Sequence, residues 1–230
     1  MTIIANLFIV LNKIVLIVAG GSGTRMNAGV PKQFLLLRGY PVLMHAMRVF
    51  YNYDRGMKII LALPEKQIHT WNILCQEYQF TINHEIRSGG ETRFHTVKKN
   101  LKEIPDNCLV AVHDGVRPLV SQETISRCFN TALKNGNAVP CIEIPETMRI
   151  LEEKGNRQVD RTLYRLIQTP QVFESSILKR AYFQDYQKHF TDDAGVVESL
   201  GYTIHLVAGN PENIKITFQK DLVFASSLLG

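Results

Sequence analysis

Two cations flanking one glycine-rich turn are the first chemistry that this sequence offers. Gly20-Gly21-Ser22-Gly23-Thr24-Arg25-Met26 is followed shortly by Pro31-Lys32-Gln33. Glycines lack a Cβ, so successive backbone N–H groups can crowd around an anion. Arg25 and Lys32 bring fixed positive charge to the same loop. That combination suits attack at the α-phosphorus of a triphosphate, where charge gathers on the phosphoryl oxygens and on departing pyrophosphate. The segment is not a P-loop, since no Gly-Lys-Ser/Thr closes it. It is not a full dinucleotide fingerprint either, because Met26 stands where the third glycine belongs. A second cluster is Val112-His113-Asp114-Gly115-Val116-Arg117-Pro118. Asp114 can help hold a magnesium ion bridging phosphate oxygens, or it can pair with Arg117. His113 reads as a satisfied core histidine and is given no catalytic role.

Both clusters end short apolar runs, and the elements around them follow from hydrophobic period. Lys13–Ala19, Met57–Leu63, Phe80–Ile86 and Cys108–His113 read as strands. Leu43, Ala46, Met47 and Phe50 recur at helical spacing, as do Ile68, Trp71, Cys75 and Tyr78, and then Phe94, Val97 and Leu101. Ser121 can cap a helix carrying Ile125, Cys128, Phe129 and Ala132, which Gly136 can end. Strands alternating with helices imply a mostly parallel sheet covered on both faces, with ligands at the strands' carboxyl edge. Glu146–Arg161 breaks this rhythm. It is polar, turns at Lys154-Gly155-Asn156, and can pair as a hairpin. Such a hairpin is either an arm toward a partner chain or an ordinary surface feature.

Bulk properties bound the function. The 230 residues are 45% hydrophobic and 20% charged, enough for one globular unit with a sizeable core. The net charge of +5 is diffuse. It fits phosphorylated substrates or a solvated surface, and no basic stripe interleaved with aromatics points to nucleic acid. Cys75, Cys108, Cys128 and Cys141 form no CxxC pair or zinc spacing and read as reduced thiols, in keeping with a cytoplasmic location. The apolar N-terminus is interrupted by Asn6, Asn12 and Lys13. It lacks the pattern of a signal peptide or a membrane span. Residues 1–12 read as an extension of unassigned role.

Taken together, GGSGTRM with PKQF, GGETRFHTV, VHDGVRP, ETMR, VDR, QTPQVF, TDDAGVVE and NIKIT resemble, in order and spacing, the 2-C-methyl-D-erythritol 4-phosphate cytidylyltransferase family. The resemblance covers about residues 13 to 228, nearly the whole chain. It implies an α/β, Rossmann-like three-layer nucleotidyltransferase fold with a mostly parallel sheet and a protruding β-arm at about 146–161, all within a single domain spanning 1–230. The implied reaction is CTP-dependent cytidylyl transfer to a sugar-alcohol phosphate in the non-mevalonate isoprenoid route. The implied form is a homodimer clasped by the arm.

The same resemblance implies roles residue by residue. Arg25 and Lys32 match transition-state stabilisers, while Arg161 and Lys215 match groups that position the substrate phosphate. Thr147 matches a substrate-contacting threonine on the arm, so Thr147 and Arg161 would serve the neighbouring subunit. Ala19, Gly20, Gly90, Glu91 and Thr96 match the cytidine pocket, joined by the loop glycines Gly21 and Gly23. Asp114 matches the carboxylate near a divalent metal, Mg2+ or another. Thr169 and Thr191 lie in further matching motifs and are taken as substrate-binding. Gly115-Val116 departs from the two alanines common in the family, and Gly195 from its common serine. The alternatives weighed are a ribitol 5-phosphate cytidylyltransferase, which shares the first motifs, and a catalytically inactive nucleotide-binding regulator on the same fold.

Overall fold

The protein is described from a computed structural model covering residues 11–20 and 30–229. The glycine loop with Gly21, Gly23 and Arg25 therefore lies outside the described residues, as does most of the N-terminal extension.

In chain order the elements are β1 (Asn12–Val18), β2 (Leu36–Leu37), β3 (Tyr40–Pro41), α1 (Val42–Tyr53), β4 (Lys58–Leu63), α2 (Glu65–Glu77), β5 (Glu85–Ser88), α3 (Arg93–Leu101) and β6 (Cys108–Asp114). Then come α4 (Gln122–Asn135), β7 (Asn137–Ile142), β8 (Met148–Glu152), β9 (Gly155–Val159), β10 (Leu166–Ile167), β11 (Gln171–Glu174), α5 (Ser175–Tyr182), α6 (Asp193–Glu198), β12 (Leu206–Ala208) and α7 (Gln219–Leu228).

Among the described residues the main sheet has eight strands, ordered β10-β7-β11-β6-β1-β4-β5, with β12 also on β7. The β6-β1-β4-β5 block is parallel, and β11 enters antiparallel between β6 and β7. Strands covered on both faces should be apolar throughout, and all seven residues of β6 are buried.

Strand alternation sorts the core into two layers. Val15 and Ile17 of β1 pack with Leu43, Met47, Phe50, Trp71 and Ile125, so α1, α2 and α4 cover one face. Ile14, Leu16 and Val18 pack with Phe94, Val97, Leu178 and Val196, so α3, α5 and α6 cover the other. A smaller cluster joins Val116, Ile216 and Ala225, seating the C-terminal segment beside the β6–α4 loop. Ile216 N–H donates to the Val116 carbonyl at 2.9 Å, and this contact carries neighbouring Lys215 to the carboxyl edge of the sheet.

Most expected elements are present. Ser121 caps α4 by accepting from Thr124 N–H, and Gly136 ends it at φ +83°. The expected strand at Phe80–Ile86 is corrected: β5 spans Glu85–Ser88. Its register pairs Glu85 with Ile60, so Phe80–Ile82 would fall opposite residues 55–57, a turn before β4 begins. The alternating apolar residues there serve packing instead. Phe80 meets Trp71 edge-on, and Trp71 Nε1–H donates to His84 at 3.0 Å.

The segment 146–161 does form a hairpin, β8 with β9, which among the described residues pairs only with itself. Gly155 enters β9 at φ +98°, a conformation that glycine adopts without strain.

The ends of β1 and β6 touch closely. A Cβ at Gly115 would lie 2.9 Å from the Ala19 Cβ and 3.0 Å from Leu43 Cδ1. Because Ala19 Cβ is fixed to the backbone, Gly115→Ala should lower unfolding free energy by about 1–3 kcal/mol through overpacking. Denaturant titration measures this, and an unchanged midpoint would show that the two strand ends separate freely.

Candidate functional site

The carboxyl ends of β1, β5 and β6 open into a cavity of about 230 Å³. Ala19, Gly20, Lys32, Gly90, Glu91, Thr96, Asp114 and Lys215 all line it. These residues come from five separated segments, yet each reaches the site for a local reason. Ala19 and Gly20 continue β1. Lys32 opens a 3-10 turn whose Gln33 is buried, and Gln33 Nε2 donates to the Ala19 carbonyl at 2.8 Å and to Gln67 at 2.6 Å. Gly90 precedes α3, where Thr92 caps the helix by accepting from His95 N–H. A Cβ on Gly90 would come within 2.8 Å of the His95 backbone, so only glycine permits this approach. Gly90 N–H in turn donates to Thr96 Oγ1 at 2.9 Å.

Asp114 is the electrostatic centre. Lys215 Nζ lies 2.8 Å from Oδ2, Arg117 Nε lies 3.5 Å from Oδ2, and Arg93 Nε lies 3.5 Å from Oδ1. Burial disfavours the carboxylate, but Arg93, Lys215 and Arg117 together hold its carboxyl far below the usual range. Arg93 is anchored in turn by a bidentate pair with buried Asp193 at 2.9 and 2.6 Å. Tyr182 OH donates to the same carboxylate at 2.6 Å. Burial and then Asp193 push the Tyr182 phenol well above its ordinary pKa, so it stays a donor. Three cations against two carboxylates leave a net positive charge at the cavity floor.

This arrangement can hold a polyanion. Among the described residues no group of three His, Cys, Asp or Glu side chains could hold a metal ion alone. Asp114 offers one ionised carboxylate, which fits a hard divalent cation that takes most of its remaining ligands from phosphate and water.

The other expected site residues lie elsewhere. Thr147 and Arg161 are exposed on and beside the hairpin and do not line this cavity, and Arg161 donates to the Pro145 carbonyl. Thr169 is buried directly behind Asp114, whose backbone N–H donates to Thr169 Oγ1 at 3.1 Å. Thr191 lines a separate cavity of about 780 Å³ beside α6. Arg93, Asp193 and Tyr182 are not singled out in the sequence, because their partners are distant along the chain. The signal available was the run of charged residues within GGETRFHTV and TDDAGVVE. The Asp114–Arg117 pairing weighed from sequence is present, at 3.5 Å, alongside two further cations.

The sequence profile of the 2-C-methyl-D-erythritol 4-phosphate cytidylyltransferases matches residues 13–230. The chain belongs to this family. It is therefore a nucleotidyltransferase of the cytidylyltransferase type, acting in isoprenoid synthesis. The 2-C-methyl-D-erythritol 4-phosphate cytidylyltransferase of Bacteroides fragilis is 52% identical over 214 residues, covering 93% of this chain and 98% of the relative. That of Bacillus velezensis is 38% identical, covering 94% and 95%. The crystal structure of the Thermus thermophilus enzyme superposes with a TM-score of 0.74 at 30% identity, covering 95% and 98%. The Anaerococcus prevotii 4-diphosphocytidyl-2C-methyl-D-erythritol synthase, at 24% identity, shares the fold with a TM-score of 0.81. The family's α/β architecture is thus the fold seen here.

Burial lowers the pKa of His113 from its ordinary 6.5 to about 4 and outweighs the hydrogen bond to the Arg117 carbonyl. Burial also lowers His45 and His84. Between about pH 6.5 and 4 the unfolded chain binds protons that the folded site refuses, so stability is full above 6.5 and falls with pH through that window. His113 alone accounts for about 3 kcal/mol of the loss. Melting temperature measured from pH 7 to 4 should fall continuously, and a flat profile would contradict a neutral buried His113.

Proposed function

We propose that the protein transfers the CMP moiety of CTP to 2-C-methyl-D-erythritol 4-phosphate, giving 4-diphosphocytidyl-2-C-methyl-D-erythritol and pyrophosphate. The observation that carries this reading is the meeting of Lys32, Asp114 and Lys215 with Gly20, Gly90 and Thr96 around one cavity. A substrate phosphate oxygen attacks the α-phosphorus, and the bond to the bridging oxygen of the β-phosphate breaks. The nucleophile is already ionised at neutral pH, so no general base is required. The task is to hold two polyanions in line, and Lys32, Lys215 and Arg25 supply charge where it develops.

Ala19, Gly20, Gly90, Glu91 and Thr96, with the loop glycines Gly21 and Gly23, form the cytidine side. The small volume and backbone groups there favour a pyrimidine. Asp114 would hold a divalent cation, Mg2+ or another, which neutralises phosphate charge when bound. Thr147 and Arg161 act from the arm of a second subunit, while Thr191, which lines the separate cavity beside α6, is assigned to substrate binding by resemblance alone. Support for a clasping arm comes from its bare apolar side chains, since Leu151 is 82% and Ile150 42% exposed. We place the enzyme in the cytoplasm as a single domain, in keeping with its four free cysteines, two of them buried. No described helix is long and apolar enough to cross a membrane.

A pyrophosphate-release assay with CTP tests the substrate. Turnover is expected with 2-C-methyl-D-erythritol 4-phosphate, and a preference for ribitol 5-phosphate would overturn the assignment. In the same assay Lys32→Ala should lower turnover by about 10²–10³, the size of a lost transition-state contact. A near-normal rate would remove Lys32 from the chemistry.

Complementation tests the arm. Lys32→Ala and Arg161→Ala homodimers should each be nearly inactive. Co-folded mixtures should recover about a quarter of wild-type activity, because each mixed dimer then holds one intact site. No recovery would place Arg161 in its own subunit's site or outside catalysis.

A further inference from the structure

Behind the cavity lies a buried polar ring that the proposed reaction does not use. His113 and Asn213 are fully buried, and Thr169 is nearly so. His113 Nε2 sits 3.0 Å from the Arg117 carbonyl, and His113 Nδ1 sits 3.1 Å from Thr169 Oγ1. Thr169 Oγ1 also receives the Asp114 backbone N–H at 3.1 Å. Asn213 Nδ2 donates to the Thr169 carbonyl at 2.8 Å, and Arg117 Nη1 donates to the Asn213 carbonyl at 2.7 Å. The ring thus joins the end of β6, the loop after it, the residue before Pro170 and the segment carrying Lys215.

Donor and acceptor logic fixes every proton. A carbonyl only accepts, so His113 Nε2 must carry hydrogen. The ring is fully buried and its two nitrogens face a carbonyl and a hydroxyl, neither of which can balance a positive ring, so Nδ1 is a bare acceptor. The Thr169 hydroxyl must therefore donate to Nδ1, while its oxygen accepts from Asp114. Its only proton is spent, so it has none to give a substrate.

We infer that His113 and Thr169 form a positioning pair that sets the Asp114 backbone, and with it the Asp114 carboxylate and Lys215, rather than contacting substrate. The inference rests on the reaction proposed above and replaces the substrate-binding role that family resemblance implies for Thr169. The hydroxyl holds the peptide from which Asp114 projects, and His113 holds the hydroxyl in the one rotamer that does so. Asn213 transmits the same alignment to Lys215, two residues further on.

Two measurements on the full-length protein test this. Nitrogen-15 NMR of the wild-type imidazoles at neutral pH should show His113 protonated at Nε2 and bare at Nδ1. A proton on Nδ1, or a cationic ring, would overturn the proposal. This readout holds even if a variant fails to fold. It also stands apart from the functional reading, which fails separately if wild type turns over no polyol phosphate.

Kinetics then separates positioning from contact. Thr169→Ser should keep wild-type rates. Thr169→Val should lose roughly ten- to hundredfold in kcat, as for a displaced catalytic group, with KM for both substrates little changed. His113→Asn should lose a similar factor, and the double variant no more than the worse single one, since both break one link. A Thr169→Val effect confined to KM for the sugar phosphate, or losses that multiply in the double variant, would refute the pairing.

Discussion

A single carboxylate held ionised beneath three cations organises this structure. Asp114 is almost completely buried at the end of a fully buried strand, a place where an isolated charge is costly. It is tolerated because Arg93, Arg117 and Lys215 converge on it from three different parts of the chain. Each cation is positioned by something else: Arg93 by Asp193 and Tyr182, Arg117 by the Asn213 carbonyl, Lys215 by the Ile216–Val116 contact. The site is therefore preorganised before any ligand arrives. A surplus of fixed positive charge in a partly desolvated cleft acts more strongly than the same charges would in water.

Steric constraint works beside the charge. The cavity floor exists only because strand ends and a helix start approach one another without side chains between them. Gly90 lets α3 begin directly against the β5 end, and Gly115 lets the β6 end lie on Ala19 and Leu43. Gly115 is followed by Val116, whose side chain joins the cluster with Leu37, Val42 and Ile216.

Much of this was legible in the sequence, because period and punctuation are local. The apolar runs that became β1, β4 and β6, the Ser121 cap, the Gly136 stop and the arm hairpin need only near neighbours to be read. The start of the Phe80–Ile86 run was misread for the opposite reason. Alternation showed that its side chains pack, but whether its backbone has a ladder partner depends on where β4 begins. The same limit hid Arg93. Its helix was plain, yet its bond to Asp193 spans 100 residues, and nothing at either position marks the other. The cavity residues carried by motif resemblance did converge. Thr147, Arg161 and Thr191 sit away from that cavity, and the loop with Arg25, Gly21 and Gly23 lies outside the described residues.

The separation of Arg161 from Lys32 and Lys215 has a physical logic. Four cations gathered permanently in one empty cleft would repel one another, and each would lose hydration without an anion to replace it. Lys215 avoids this by resting on Asp114, and Arg93 by resting on Asp193. A cation on an exposed two-stranded arm avoids it differently, because it stays hydrated in its own subunit. In the homodimer proposed above, it adds its charge at the second subunit's site, where bound phosphates neutralise it. On that proposal, a cation carried on a separable element lets the Lys32, Asp114 and Lys215 side of the cleft stay built and balanced, while the second polyanion brings the charge that Arg161 needs.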